Sequence, residues 1–294
     1  MNLLDTVTPH LVEVKAMTHP GVNYGAVGVR VRLGRILRDG KAVIFAFDHG
    51  FEHGPKDFPE DRVAARNIIQ QVVDAGVDAI MLLPGMARLT HDIWAGRTAL
   101  IVKLTSKTEL RPESSIYLQT RLATVEDAVA LGADAVAATV YWGSEHESEM
   151  MENWMIIKEE AEAYGMPALQ LAYPRGSHFK NWYDPEVVMY GVRAAIEVGA
   201  DLIKTYYTGS RETFAKVVEM AQGIPVVMSG GAVRDRPVDF LTDLSNVIAA
   251  GGSGVAVGRN VFRAKDIKSM ARAVMAVVHE GLSPEEAAKR FNLE

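Results

Sequence analysis

Cysteine is missing altogether from this 294-residue chain. Disulfide frameworks, thiolate nucleophiles and cysteine-based metal sites are thereby excluded. No run of about 18 apolar residues occurs, so no membrane span is expected. The opening stretch, MNLLDTVTPHLVEVK, carries acids and lacks a continuous apolar core, so it does not read as a secretory signal. Basic excess is lacking too. With 31 Lys and Arg against 37 Asp and Glu, the formal charge is -6, which argues against a nucleic-acid partner. An anionic substrate must then be held by local groups and not by the overall field. The expected compartment is the cytoplasm.

What is present is a soluble-globular balance of 48% apolar and 23% charged residues, with a weak repeat inside it. Helical stretches end in a glycine that is followed at once by a small apolar run. The joints are Ala75-Gly76-Val77-Asp78, Leu131-Gly132-Ala133-Asp134, Val198-Gly199-Ala200-Asp201 and Ala250-Gly251-Gly252-Ser253. A glycine just past a helix supplies the left-handed closing residue. The run after it reads as a strand buried on both faces, as in a parallel sheet. Eight runs are expected as strands: Ala42–Phe47, Ala79–Leu83, Ala99–Lys103, Ala135–Thr139, Ala168–Ala172, Asp201–Lys204, Pro225–Met228 and Gly254–Val257. Amphipathic patterns such as Arg62–Ala75 and Glu186–Val198 separate most of them.

Alternating strands and helices over about 250 residues imply a parallel sheet, and eight units fit a closed (β/α)8 TIM barrel. A doubly wound open sheet is the alternative, although no GxGxxG follows the first run. One barrel domain covering residues 1–294 is expected, with residues 1–30 as an extension and Val31–Arg38 as a helix plugging the barrel floor. Ser283-Pro284-Glu285-Glu286 reads as a helix start, with a Ser cap, Pro at the first position and Glu286 two residues beyond it.

Barrel enzymes carry their chemistry where strands end. Here the ends are Asp48-His49-Gly50, Lys103, Tyr173-Pro174-Arg175-Gly176, Lys204, Ser229-Gly230-Gly231 and Gly258-Arg259-Asn260. Glycines after the seventh and eighth strands let backbone N–H groups approach a bound anion, and Arg259 adds a charge-assisted donor. The competing reading is tight turns alone. Lys204 closes an apolar run, where burial disfavours the ammonium and yields an amine able to attack a carbonyl. A rim ion pair or a phosphate contact is the competing role, and Lys103 is the rival nucleophile. Lys107, farther along, reads as a solvated charge. Tyr173 is placed to shuttle a proton, with Tyr141 second, and Asp48 to orient a substrate hydroxyl or take its proton. The spacing of His49 and His53 invites a metal site, but the segment reads as a loop, so no metal is expected there. Trp142, Trp154 and Trp182 read as packing residues.

Five segments together resemble the archaeal-type class I fructose-bisphosphate aldolases: Asp48-His49-Gly50-Phe51-Glu52-His53-Gly54-Pro55, Tyr173-Pro174-Arg175-Gly176, Ile203-Lys204-Thr205-Tyr206-Tyr207-Thr208-Gly209, Met228-Ser229-Gly230-Gly231 and Val257-Gly258-Arg259-Asn260. The resemblance implies a phosphorylated ketose as substrate, no metal and no cofactor. It assigns the Schiff base to Lys204, acid/base work to Tyr173 and hydroxyl handling to Asp48. It assigns phosphate binding to Ser229, Gly230, Gly231, Gly258 and Arg259. Arg175, Lys103 and His53 are the candidates for a second phosphate. The resemblance also implies a homo-oligomer, with a decamer as the family's suggestion. Leu171 departs from it, standing where the family has a tryptophan. A sister group makes 2-amino-3,7-dideoxy-D-threo-hept-6-ulosonate, but Glu52-His53-Gly54-Pro55 favours the fructose bisphosphate reading. A phosphosugar thiolase or isomerase on the same barrel is a further alternative.

Overall fold

The computed structural model of the chain describes residues 24–58 and 64–293. Eight strands are central to it: β1 (Ala42–Phe47), β2 (Ala79–Leu82), β3 (Ala99–Lys103), β4 (Ala135–Trp142), β5 (Ala168–Pro174), β6 (Leu202–Thr205), β7 (Val226–Ser229) and β8 (Gly254–Val257). All are parallel, each pairs with its sequence neighbours, and β8 returns to β1, so the sheet closes into a barrel. The open-sheet alternative is thereby excluded. Three of the expected strands keep their bounds, whereas β4 and β5 run on past Thr139 and Ala172. Tyr141 and Tyr173 are therefore strand residues and not loop residues.

Helices surround the barrel. In Ala65–Ala75 the residues Ile68, Ile69, Val72 and Val73 form the buried stripe, and Gly76 closes the helix at φ 86°. The start of the expected Arg62–Ala75 pattern falls outside the described residues. The C-terminal helix Pro284–Arg290 has the expected capping box between Ser283 and Glu286. The helix near the N-terminus spans Tyr24–Ile36, where Val31–Arg38 was expected. Arg32 donates to the carbonyl of Gly165 (2.9 Å) and Arg35 pairs with Asp134 (2.9 Å), which sets the helix under the starts of β4 and β5. The greater part of the expected N-terminal extension, residues 1–23, lies outside the described residues.

The glycine–strand joints acquire a physical reason here. Their aspartates accept hydrogen bonds from backbone N–H groups of a neighbouring strand: Asp78 from Val43 (2.7 Å), Asp134 from Leu100 (3.2 Å) and Asp201 from Ala168 (2.9 Å). Each carboxylate fills an acceptor place that the start of a strand would leave empty. Each also has a cation: Arg38 for Asp78, Arg35 for Asp134 and Lys158 for Asp201. Asp78 additionally meets His279 at 2.7 Å. Replacing Asp78 with alanine is expected to cost about 1–3 kcal/mol of stability, read by urea titration, because buried partners are orphaned.

Register decides which residues enter the barrel. In a strand, alternate side chains share a face. Following the pairing around the barrel from Lys103 gives Ala137, Leu169 and Leu202, and the same face carries Leu171 beside Lys204. Continuing through Val227, Ser229, Ala256, Ile44 and Met81 returns to Ile101 and Lys103. One continuous face thus holds Lys103, Tyr141, Tyr173, Lys204 and Ser229. That face is the interior, because its contacts skip a strand. Lys103 of β3 reaches Asp48 at the end of β1, and the Tyr173 hydroxyl of β5 donates to Ser229 Oγ of β7 (3.3 Å).

Candidate active site

The C-terminal ends of the strands form the mouth of the barrel, and the ion cluster there starts from Lys103. This lysine is only 1% exposed, and its ammonium donates to Asp48 and to Glu52 Oε1, the latter at 2.7 Å. Burial alone would depress its pKa, but the two carboxylates override it and raise it above the usual lysine range. Burial works on Asp48 in the opposite sense, and there Lys103, helped by His49 and Lys204, prevails and holds the carboxyl well below its usual range. Two carboxylates of the protein thus hold the Lys103 ammonium, which sets it apart from the other lysine of the mouth.

The segment after β1 is a one-turn helix, His49–Glu52, and not the expected loop. This turn brings Glu52 back over Lys103. His53, the other residue considered for a second phosphate, turns to Glu109, with Nδ1 2.5 Å from Oε1. Lys56 meets the second oxygen of Glu109, so His53 braces the surrounding loop. Lys107 is also not where the sequence suggests. It is buried rather than solvated, and burial lowers its pKa, with Arg175 acting in the same direction.

Lys204 is 6% exposed and lies inside the barrel between Leu171 and Val227. Its charge is felt by Asp48 and His49. Among the described residues its ammonium makes no hydrogen bond or ion pair. This separates it from Lys103: one lysine is bound by two carboxylates, while the other has no such partner among the described residues.

Two tyrosines face the same interior with different surroundings. The Tyr173 ring stacks on Tyr206 with centroids 4.6 Å apart, and its hydroxyl points to Ser229. Tyr141 receives a hydrogen bond from Gln119 Nε2 (2.7 Å) and is pushed up to about 12 by burial, with Glu52 adding to the effect. The Tyr141 hydroxyl is thus engaged by Gln119, whereas that of Tyr173 faces Ser229. Tyr206 is two residues beyond Lys204 on the same interior face, and its proximity is legible only through the period of two. Its hydroxyl accepts from Arg175 Nε at 2.5 Å. The Arg175 guanidinium lies within 5.0–5.7 Å of the ring centres of Tyr141, Tyr173, Trp182 and Tyr206. Trp182 is thus part of the mouth, whereas Trp154 and Trp142 pack with their indole N–H groups satisfied by Val198 and Gln170.

The glycine turns after β7 and β8 are held together by Asn260. Its amide nitrogen donates to the carbonyls of Gly230 (2.7 Å) and Ala232 (2.9 Å). Arg259 donates to the Gly231 carbonyl (3.2 Å), while its buried Nε has no partner. The Gly230 N–H is taken by Ala256, but that of Gly231 donates to none of the described residues. A hollow of about 490 Å³ adjoins these turns, lined by Tyr183, Tyr206, Ser229, Gly230, Gly231 and Arg234 among others. A larger cavity, about 720 Å³, is lined mainly by apolar residues such as Phe47, Phe51, Phe58, Leu83 and Met86. It shares only Asp48 with the polar cluster. The charged and polar side chains gather at the barrel mouth around Lys103 and Lys204 and not in the larger cavity.

His49 is pushed down to about 4, chiefly by burial, with Lys204 and Arg259 adding to it and Asp48 and Glu52 opposing. A histidine depressed below its ordinary value of about 6.5 binds fewer protons in the folded state than in the unfolded one. Its contribution is destabilising at acid pH and is removed as pH rises from about 4 to 6.5. Over that window the stability should climb by about 3 kcal/mol on its account. Urea titrations from pH 4.5 to 7 check this: His49→Gln should show a visibly flatter profile.

The sequence model of the DeoC/LacD family aldolases matches residues 42–264, which include every barrel strand. The class 1 fructose-bisphosphate aldolase of Thermoproteus tenax is 40% identical over 246 residues, covering 83% of this chain and 92% of that protein. A 2-amino-3,7-dideoxy-D-threo-hept-6-ulosonate synthase of Halobacterium salinarum is 37% identical over 267 residues, covering 90% of this chain and 97% of the other. Among solved structures, an archaeal fructose-1,6-bisphosphate aldolase with its catalytic lysine covalently bound to the carbinolamine intermediate of the substrate superposes with a TM-score of 0.79. Its sequence is 38% identical, and the match covers 85% of this chain and 99% of that one.

Proposed function

The chain belongs to the DeoC/LacD family of aldolases, and from that premise we propose that it is a Schiff-base-forming fructose-bisphosphate aldolase. It would reversibly cleave fructose 1,6-bisphosphate to dihydroxyacetone phosphate and glyceraldehyde 3-phosphate. The observation that carries this reading is Lys204: an interior lysine with no ion-pair partner among the described residues, on the same face as Tyr173 and Ser229 and flanked by turns suited to an anion.

The chemistry follows from the placement. The Lys204 amine adds to the C2 carbonyl, and loss of water from the carbinolamine leaves an iminium. Its positive nitrogen accepts the electron pair of the C3–C4 bond once a base removes the C4 hydroxyl proton. Glyceraldehyde 3-phosphate departs and an enamine remains. Protonation at C3 and addition of water release dihydroxyacetone phosphate and the free amine. Tyr173 is the proton carrier, and Asp48, held by Lys103, orients the hydroxyls. Arg259 with the turns at Ser229-Gly230-Gly231 and Gly258 holds the phosphate next to C2, which brings ketone and amine within reach. With Lys103 and His53 engaged elsewhere, Arg175 is left of the candidates for the other phosphate, and the buried Lys107 nearby adds positive charge.

Borohydride added with dihydroxyacetone phosphate should fix a covalent adduct on Lys204, located by peptide mass spectrometry. A coupled assay should detect triose phosphate released from fructose 1,6-bisphosphate. Tyr173→Phe is expected to lower turnover by about 10²–10⁴-fold while leaving the borohydride adduct obtainable. Undiminished turnover would move the proton carrier to another group.

The similarity to the heptulosonate synthase supports a second reading with the same lysine and tyrosine. The sequence Glu52-His53-Gly54-Pro55, whose glutamate closes the cage around Lys103, favours the first. Turnover of fructose 1,6-bisphosphate compared with the heptulosonate precursors decides between them. The same reading takes the chain to act in the cytoplasm as a homo-oligomer, the decamer included, and light scattering on the purified protein measures the assembly. No helix among the described residues is long and apolar enough to cross a membrane.

A further inference from the structure

Tyr206 lies in the barrel mouth, yet the cycle above gives it no task. The pairing that sets Leu171 beside Lys204 brings the next interior residues of the two strands, Tyr173 and Tyr206, side by side. Their rings stack with centroids 4.6 Å apart and planes 16° from parallel. Tyr183, from the segment after β5, meets the Tyr206 ring at 4.9 Å. Tyr206 is only 3% exposed. The hydrogen bond of the Tyr173 hydroxyl to Ser229 Oγ, at 3.3 Å, is long for a pair of hydroxyls. The Tyr173 ring is therefore held more by what packs on it than by its own hydroxyl.

The Tyr206 hydroxyl serves a different neighbour. Its oxygen accepts from Arg175 Nε at 2.5 Å, a charge-assisted bond. Arg175 is half-buried, and its two Nη groups have no acceptor among the described residues. A guanidinium fixed through Nε presents its Nη groups as a fork suited to two oxygens of one anion. In the aldolase reading that anion is the second phosphate of the ketose. One phenol thus joins two groups of the site: its oxygen holds the arginine, and its face holds the ring of the proton carrier.

We propose that Tyr206 is a positioning residue that ties the arginine receiving the distal phosphate to the ring of the proton carrier. A ketose with both phosphates is then turned over faster, and not merely bound more tightly, than one lacking the distal phosphate. The inference rests on the aldolase reading and deepens it by linking substrate recognition to proton transfer. The distal phosphate takes the Nη groups and fixes the plane of the guanidinium. Nε passes that constraint to the Tyr206 oxygen, and the stack passes it on to Tyr173. Fewer orientations of the Tyr173 ring are then populated, so its hydroxyl spends more time where the proton must be taken. Binding energy from a part of the substrate remote from the breaking bond is thereby expressed in kcat. Tyr206 itself exchanges no proton with the substrate.

The test compares two ketoses that differ only in the distal phosphate. Wild type, Tyr206→Phe, Arg175→Lys and the double variant are each assayed with fructose 1,6-bisphosphate and with fructose 1-phosphate. Phenylalanine keeps the stack and removes the acceptor of Arg175. In Tyr206→Phe the ratio of the two kcat values should fall about 10-fold, as loss of a hydrogen bond to a charged group predicts, with the ratio of KM values changing less. In the Arg175→Lys background the same substitution should leave the kcat ratio where that background has it. A loss shared equally by both ketoses would mark Tyr206 as a packing residue alone and overturn the proposal. An unchanged ratio in the single variant, or additive losses in the double, would do the same. Independently of any ketose, NMR of ring-labelled tyrosine reads the flip rate of Tyr173, its signals assigned from Tyr173→Phe. Flipping should be several-fold faster in Tyr206→Phe than in wild type, and equal rates would count against the link. Failure of wild type to cleave either ketose would instead remove the aldolase reading, while the flip rates would still decide whether Tyr206 positions Tyr173.

Discussion

Lys204→Ala is expected to lower cleavage of fructose 1,6-bisphosphate by on the order of 10⁴–10⁶-fold and to abolish the borohydride adduct. The size of the loss follows from what the amine supplies. Without a covalent nitrogen there is no electron sink at C2, and breaking C3–C4 would leave a bare carbanion. Holding the phosphate and orienting the hydroxyls cannot replace that sink. Lys204→Arg sharpens the test, since a guanidinium stays charged near neutral pH and cannot form the imine. It should be nearly as inactive as the alanine variant, although it restores the charge that Asp48 and His49 sense. Measurable adduct at another lysine with normal turnover would transfer the nucleophile. Lys103 is not a ready substitute, because its ammonium is bound by two carboxylates.

Lys103→Met is expected to be the most damaging change to stability among those considered. The wild-type side chain is buried, and its removal leaves Asp48 and Glu52 in the interior without their shared cation. Breaking a buried pair from one side costs about 3–5 kcal/mol, because a charge stays behind without compensation. The pH dependence follows from the signs of the shifts. In wild type the Asp48 and Glu52 carboxyls are held below their unfolded values, so their contribution is present above about pH 4 and fades as the solution is acidified through the folded values. In Lys103→Met, burial and mutual repulsion would raise at least one of them, so that folding takes up a proton and weakens as pH rises. The gap between the two proteins should then widen from pH 4.5 to 7.5 in urea titrations. Lys103→Met combined with Glu52→Gln should recover part of the loss by removing one stranded charge. A single variant as stable as wild type at neutral pH would mean that the cluster is not what holds the mouth together.

Some of the site was readable along the chain because it follows from local rules. Lys204 ends an apolar run, and the glycines after β7 and β8 stand directly behind their strands. Tyr206 obeys the same rule, because two residues beyond Lys204 is the next interior position. Glu52 and His49 were harder. Their significance depends on a single helical turn where a loop was expected, and that turn forms over groups contributed by β3 and β8. Lys107 is buried although no local pattern beyond the end of β3 announces it, and the same holds for Gln119, which bonds Tyr141.

The chain by itself determined the number and order of the strands and the glycines and caps that close or start several helices. Those depend on apolar period, on left-handed glycines and on caps, all of them properties of neighbours in sequence. Only the closed barrel decided the partnerships. Lys103 and Lys204 look alike in sequence, each a lysine closing an apolar strand. The fold brings Asp48 and Glu52 into contact with one of them and leaves the other with no ion pair among the described residues. Burial and charge act through space, so two equal residues became a structural ammonium and a candidate nucleophile only when strands distant in sequence came together.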